Sequence, residues 1–258
     1  MTQNKLAAQL YTVREFTKTL DGFTESMKKV SEIGYTAVQV SAIGADIPFE
    51  DVKRVADDLG LKICITHIPY DRLWNDIDSV IAQHKLWDCQ HVAIGSMPRH
   101  YVENGIDGIR QFAQEASAVG EKLYNAGLTF SYHNHSFEFI RVGNQSGLEI
   151  LYAESDPRYL QAEIDTYWIQ FGGADPADWI RRVSNRMPAV HLKDMVIKQG
   201  HEQIMAEVGE GNLNWPNILA ACAEANVEWY CVEQDICQRD PFESLKISYD
   251  NLVAMGVS

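Results

Sequence analysis

Four times in this chain an amphipathic stretch closes on Gly or Asn and a short apolar run follows at once. The copies are Ser31-Glu32-Ile33-Gly34 before 35–41, Asp57-Asp58-Leu59-Gly60 before 61–67, Tyr124-Asn125-Ala126-Gly127 before 128–133, and Glu224-Ala225-Asn226 before 227–233. Gly and Asn tolerate the left-handed backbone that closes a helix C-terminus. The unit therefore reads as helix, tight turn, strand. Counting such units predicts eight strands, at 5–10, 35–41, 61–67, 90–95, 128–135, 159–165, 188–193 and 227–233. Helical patterns follow at roughly 19–33, 49–59, 74–87, 103–126, 147–154, 175–185, 214–225 and 241–254, with Asp21 and Asp175-Pro176 as helix-start signals. The strands are short and continuously apolar, as expected when both faces are buried. Strict alternation implies parallel strands with right-handed crossovers. Eight such units close into a single (β/α)8 TIM barrel, a fold of about 250 residues, against the 258 present. An open doubly wound sheet is the alternative, but no G-x-G-x-x-G follows the first strand. No linker or low-complexity run interrupts the pattern, so residues 1–258 read as one α/β domain.

Composition narrows the partners. Asp and Glu number 36 against 22 Lys and Arg, a formal charge of −14. Such a field repels nucleic acid and anionic membranes unless a basic patch overrides it, and Arg181-Arg182 is only a pair. No apolar run reaches the ~18 residues of a membrane helix. The N-terminus carries no signal-peptide pattern, which places the chain in the cytoplasm. Five cysteines without a C-x-x-C read as reduced core thiols rather than a zinc knuckle.

In a TIM barrel the strand C-termini and the loops after them build the active site. The polar residues there are Gln9 and Tyr11, Ser41, Thr66 and His67, Ser96, His133 to His135, Asp165, His191 to Asp194 without Leu192, and Glu233 to Asp235. His, Asp and Glu recur on the last four strands. Within a strand, alternation puts His133 with His135, Glu163 with Asp165, and His191 with Lys193 on shared faces. Each pair can send one member to a cation and the other to substrate. Two His and two carboxylates suit Mn2+ first, with Co2+, Zn2+, Fe2+, Ni2+ or Mg2+ as alternatives; Mg2+ prefers more oxygen. Taken singly, a strand-end His is more often a structural hydrogen-bonding group, Asp165 can cap the next turn, and Glu233 can bind a backbone amide. It is their joint occurrence that points to a metal.

These residues resemble the xylose-isomerase-like TIM barrels of the sugar phosphate isomerase/epimerase family over essentially the whole chain. The resemblance rests on Gln9-Leu10-Tyr11-Thr12-Val13-Arg14, on 34–40, on Asp165-Thr166-Tyr167-Trp168 with Gly172-Gly173, on His191-Leu192-Lys193-Asp194, and on Val208-Gly209-Glu210-Gly211-Asn212-Leu213-Asn214-Trp215 followed by Val232-Glu233-Gln234. In that family Glu, Asp, His and Glu at the ends of strands five to eight hold one divalent cation. The last three carry over as Asp165, His191 and Glu233. The first does not match: strand five offers Tyr132-His133-Asn134-His135 with Phe137-Glu138-Phe139 downstream, a version found in one branch of the family. His133 is taken as the fourth ligand and His135 as its competitor.

The resemblance implies a sugar isomerase or epimerase that moves a proton next to a carbonyl through an enediolate which the metal stabilises. Glu233 serves as one base; His135, Glu138 or Lys193 takes the role of the missing glutamate. A one-base reaction, isomerisation or β-elimination from a keto-sugar or keto-glycoside, gains ground accordingly. Gln9 and His67 are expected to contact substrate hydroxyls. Tyr11 and Trp168 either stack on a sugar ring or pack the barrel mouth. The substrate is a small sugar or keto-sugar, and a homo-oligomer is allowed. Two readings of other classes stand beside this one: a non-catalytic sugar-binding barrel or partner-dependent subunit, and a nuclease similar to endonuclease IV. The second is disfavoured by the acidic charge, by Ser96 on strand four and by Trp168.

Overall fold

A computed structural model of the chain describes residues 5–257. Eight short strands form the barrel: β1 Leu6–Gln9, β2 Ala37–Val40, β3 Lys62–His67, β4 His91–Ile94, β5 Thr129–His133, β6 Gln161–Asp165, β7 Ala189–Leu192 and β8 Trp229–Val232. Each pairs in parallel with its sequence neighbours, and β8 returns to β1 through Leu6 opposite Tyr230, which closes the sheet. All eight coincide with the apolar runs in the sequence. The turns behave as their residues require: Gly60 and Gly127 lie at φ +66° and +82°, and Asn226 at +52°. The order of strands is thus set by local turn chemistry, while closure buries both faces of every strand.

Between β2 and β3 the register shifts at Val38 and Gln39, leaving Cys64 as an extra residue. Bulges of this kind re-aim side chains next to functional sites.

Several helices differ from expectation. The helix expected at 74–87 is two, Tyr70–Asn75 and Ile77–Trp87, broken at Asp76 with φ −143°. That expected at 103–126 begins as Arg99–Glu103 and continues as Gly105–Asn125. Thr19, not Asp21, caps the first helix by accepting from Gly22 N. Asp175 does cap Pro176–Arg182. Elements without a hydrophobic period escaped the sequence reading. They are the 3-10 turn Leu10–Phe16, the helix Thr166–Phe171, and two small ribbons, Arg141–Val142 with Gln145–Ser146 and Asp194–Ile197 with Gln203–Ala206. All lie beyond the C-terminal ends of strands, where they shape the mouth. Among the described residues no helix is long and apolar enough to cross a membrane.

Candidate metal centre

Every second strand residue points into the lumen. Toward the strand N-termini the lumen holds a small apolar cluster that includes Ala7, Ala37, Ala189 and Cys231. Two residues further along the same strands come Gln9, Gln39, His191 and Glu233, and the filling becomes polar. The sequence thus changes chemistry within one pleat of the sheet.

At this level β5 to β8 bring together His133, Asp165, His191 and Glu233. One ligand-type atom of each lies within 4.8 Å of all the others, and all four residues are buried. The His133 ring Nδ1 lies 3.0 Å from Gly95 O, to which it donates, so the Nε2 lone pair faces Asp165 Oδ2 at 3.0 Å. His191 Nε2 lies 2.7 Å from Gln39 Oε1, and its Nδ1 lies 2.8 Å from Glu233 Oε2. Two imidazole nitrogens and two carboxylates therefore converge on one point, and a cation there would take the place of the His191 Nδ1 proton. The donor set fits a divalent cation in a mixed nitrogen and oxygen environment. Strand-five ligation by His133 is consistent with this geometry; His135 lies beyond the end of β5, its ring centroid 5.0 Å from that of His133.

The electrostatics fit the same picture. Burial opposes ionisation of Asp165, yet Lys193 and His133 outweigh it and hold the carboxyl down at about 2. Burial opposes Glu233 in the same way, and Lys193 and His191 hold it well below the usual carboxylate range. Burial disfavours the charged His191 ring, but Glu163 and Glu233 overcome this and raise it to about 10. The carboxylates of this pocket attract positive charge strongly enough to reverse burial.

Lys193 supplies part of that charge. Its Nζ lies 3.0 Å from Asp165 Oδ2, 2.6 Å from Glu233 Oε2 and 3.0 Å from Asp235 Oδ1. Burial disfavours its ammonium, but Asp165 and Glu233 raise its pKa well above the usual value, so it is a fixed cation. Asp235 was passed over in the sequence as one more polar residue after β8. Burial and Glu233 lift its carboxyl to about 6, against the pull of Lys193.

Above the cluster opens a cavity of about 670 Å3, within the usual range for a small-molecule site. Tyr11, His67, His133, His135, Trp168, Lys193 and Glu233 line it, with Arg14 and Asp235 among its other walls. Among the described residues four buried side-chain polar atoms have no partner, and two of them, His135 Nδ1 and Trp168 Nε1, belong to residues that line this cavity. Buried polar groups are ordinarily satisfied, so these two are suited to hydrogen-bond a ligand. Burial, with His133 and Lys193 adding to it, lowers His135 to about 3; the ring is neutral at pH 7.

Three expected site residues sit differently. Glu138 is fully buried outside the cavity, where its carboxylate accepts from Tyr132 Oη at 2.6 Å and from His135 N at 2.9 Å. Burial raises it to about 7, but its oxygens are spent holding the turn that presents His135. Gln9 is also fully buried and outside the cavity lining; its Oε1 accepts from Tyr11 N at 3.0 Å. His67 lines the cavity with its ring, but its nitrogens face inward, to Glu163 at 2.7 Å and Gln9 at 3.4 Å. Gly95 allows that ring its place, since a Cβ there would come within 2.9 Å of His67 Nδ1. Gln39 was not picked out from the sequence, and Glu163 only as the face partner of Asp165. The only sequence signal was a polar residue at an inward position of an otherwise apolar strand.

A family model described as a xylose isomerase-like TIM barrel matches residues 27–243. The inosose dehydratase of Clostridium tetani is 28% identical over 153 residues, 52% of this chain and 50% of that protein. The inosose dehydratase of Geobacillus thermodenitrificans is 26% identical over 155 residues, 54% of this chain and 49% of that protein. The chain thus spans about half the length of the curated relatives it matches. Among solved structures, a sugar phosphate isomerase/epimerase from Parabacteroides distasonis superposes with a TM-score of 0.82 at 24% identity, over 100% of this chain and 96% of that one. L-ribulose 3-epimerase superposes with a TM-score of 0.72 at 15% identity, over 99% and 95%. The match covers most of the barrel, and the chain belongs to the xylose isomerase-like TIM-barrel family.

Proposed function

We propose that this protein is a divalent-metal-dependent sugar isomerase or epimerase that acts by proton transfer next to a carbonyl. The observation that carries the reading is the convergence of His133 Nε2, Asp165 Oδ2, His191 Nδ1 and Glu233 beneath a cavity of about 670 Å3. A cation held there would polarise a substrate carbonyl and lower the barrier to loss of the neighbouring proton. Mn2+ suits the donor set best.

Glu233 Oε2 is shared between His191 and Lys193, which leaves Oε1 to take the C–H proton. The electron pair moves into the carbonyl. Lys193 stays charged and steadies the developing oxyanion, with Asp235 holding the ammonium in place. His135 Nδ1 and Trp168 Nε1 hydrogen-bond substrate hydroxyls. Returning the proton to the adjacent carbon, with the neighbouring hydroxyl proton passing to the former carbonyl oxygen, gives isomerisation; delivery of a different proton to the opposite face of the same carbon by a second acid, with Glu233 keeping the first, gives epimerisation.

A second reading is β-elimination from a keto-sugar. It is favoured by the placement of Glu138 away from the cavity, which leaves Glu233 with no carboxylate facing it from the β5 side. The dehydratase relatives point the same way. In this course Glu233 delivers the proton it took to the departing β-oxygen, which leaves as water or an alcohol.

The test is solvent deuterium exchange into a panel of keto-sugars, followed by NMR with the Mn2+-loaded protein. Exchange beside a carbonyl is expected, and loss of the β-oxygen would mark elimination. The assignment fails if no keto-sugar exchanges, or if His191→Ala and Asp165→Ala leave metal content unchanged.

A further inference from the structure

Directly behind the four ligands runs a second polar layer with a definite direction. The Tyr11 backbone N–H donates to Gln9 Oε1 at 3.0 Å, which turns the Gln9 amide nitrogen toward His67 Nδ1 at 3.4 Å. His67 thus accepts on Nδ1 and donates from Nε2 to Glu163 Oε2 at 2.7 Å. The other oxygen, Glu163 Oε1, accepts from Gln39 Nε2 at 2.9 Å. A carboxylate can only accept, so it fixes which end of the Gln39 amide faces it. Gln39 Oε1 must then face His191 Nε2, 2.7 Å away, and His191 donates there, with Glu163 Oε1 3.2 Å from the same nitrogen as a second acceptor. Nδ1 is left facing Glu233 and Asp165, so its proton is the one a cation would displace. Gln39, Glu163 and His191 are all fully buried, out of reach of bulk solvent. Gln39 reaches this position at the register shift between β2 and β3.

We propose that Glu163 and Gln39 are positioning residues, a carboxylate–amide relay that locks His191 in the tautomer whose Nδ1 binds the cation. The proposal rests on the metal reading above. It concerns neither ligand nor base but the layer that decides which nitrogen of the ligand is available, a kind of support whose loss typically costs roughly 10–100-fold in metal affinity. The same atoms admit a rival reading. His67, Glu163 and His191 also bring ligand-type atoms within 4.8 Å of one another, the pattern of a second cation site. The hydrogen bonds argue against it: both nitrogens of His67 and both oxygens of Glu163 are already matched donor to acceptor.

Exchanging the two side chains gives a sharp test. In Glu163→Gln the fixed acceptor is lost, and in Gln39→Glu two carboxylates face each other. In the double exchange Gln39→Glu with Glu163→Gln, every direction is restored: residue 39 accepts from His191 and from the new amide, whose oxygen accepts from His67. The measurements are the Mn2+ dissociation constant and stoichiometry by competition with a chelating dye. The His191 tautomer is read from ring 15N shifts in the Zn2+-loaded, diamagnetic protein. Wild type is expected to bind one Mn2+ with His191 protonated on Nε2. Each single variant is expected to bind roughly 10–100-fold more weakly, and the double exchange to recover most of the loss. A purely structural role would lower thermal stability without moving the tautomer signal. The proposal is overturned if the single variants bind like wild type, if the double exchange binds no better than the singles, or if wild type takes two Mn2+ and Glu163→Gln keeps one. A wild-type chain that takes up no Mn2+ overturns the metal reading and the relay with it; failure of the relay alone shows as normal wild-type binding.

Discussion

Carboxylates buried at the ends of three successive strands, β6, β7 and β8, behave in two opposite ways. Asp194, just after β7, is fully buried, and its oxygens accept from Met195 N, Gly209 N, Gly211 N, Leu213 N and the Trp215 indole. The chain itself provides every donor, and the carboxylate pins the 208–215 loop. Asp165 and Glu233 are buried too, yet they face two imidazole rings and the Lys193 ammonium, positive or exchangeable partners that a cation could replace. The first arrangement is complete as it stands. The second is an excess of acceptors that a cation completes. Burial and charge alone do not separate a structural carboxylate from a functional one; the supply of donors does.

The largest expected effect breaks the second group. His191→Ala or Asp165→Ala is predicted to abolish stoichiometric Mn2+ binding and to slow deuterium exchange about a thousandfold or more, measured by metal analysis and NMR. Unfolding temperature in the metal-free state should change far less than activity does.

Asp194→Ala should do the reverse. Leaving its donors unsatisfied is predicted to cost about 4 kcal/mol, a fall of roughly 10 °C in Tm, read by calorimetry. Mn2+ bound per folded chain should stay at the wild-type value. Loss of metal with normal Tm would erase the distinction between the two groups.

A buried histidine outside the candidate site sharpens the comparison further. His84 sits between Thr66 Oγ1 and Val80 O at 2.8 Å each, and burial lowers its pKa to about 4, with the Arg72 charge acting in the same direction. The unfolded ring takes up a proton near pH 6.5, while the folded ring resists until about pH 4. The stability due to neutral His84 is therefore complete above pH 6.5 and declines as pH falls toward 4, by about 3 kcal/mol in all. Denaturant titrations of wild type and His84→Gln between pH 7 and 4 check this: the variant should start less stable and lose less.

The smallest effect concerns the cavity wall. Trp168→Phe removes the unpartnered indole N–H and keeps an aromatic face. It is expected to raise KM about fivefold, close to 1 kcal/mol, with kcat within about twofold. Steady-state rates on whichever keto-sugar exchanges test it. A larger fall in kcat would move Trp168 from binding to chemistry.

Much of this architecture was legible in the chain. Gly34, Gly60, Gly127 and Asn226 mark helix ends because few residues tolerate their backbone conformation, and all eight strands follow from the apolar runs. The short mouth elements, such as Thr166–Phe171, were not legible, because they are held by caps like Asp165 rather than by a hydrophobic period. Among the candidate site residues, strand-end position was enough to collect His133, Asp165, His191 and Glu233. It was not enough to separate Glu138 from Lys193, since both are polar residues just beyond a strand end.

Sequence by itself determined what is local: where strands begin and end, which face a side chain takes, and which residue types gather at the C-terminal ends. Period and turn chemistry depend only on near neighbours. Tertiary structure alone decided which polar atoms meet. Gln39 and Glu163 are 124 residues apart, and Gln39 and His191 are 152 apart. Only closure of the barrel brings them into one layer, and only the order of donors and acceptors in that layer decides which nitrogen of His191 faces the site.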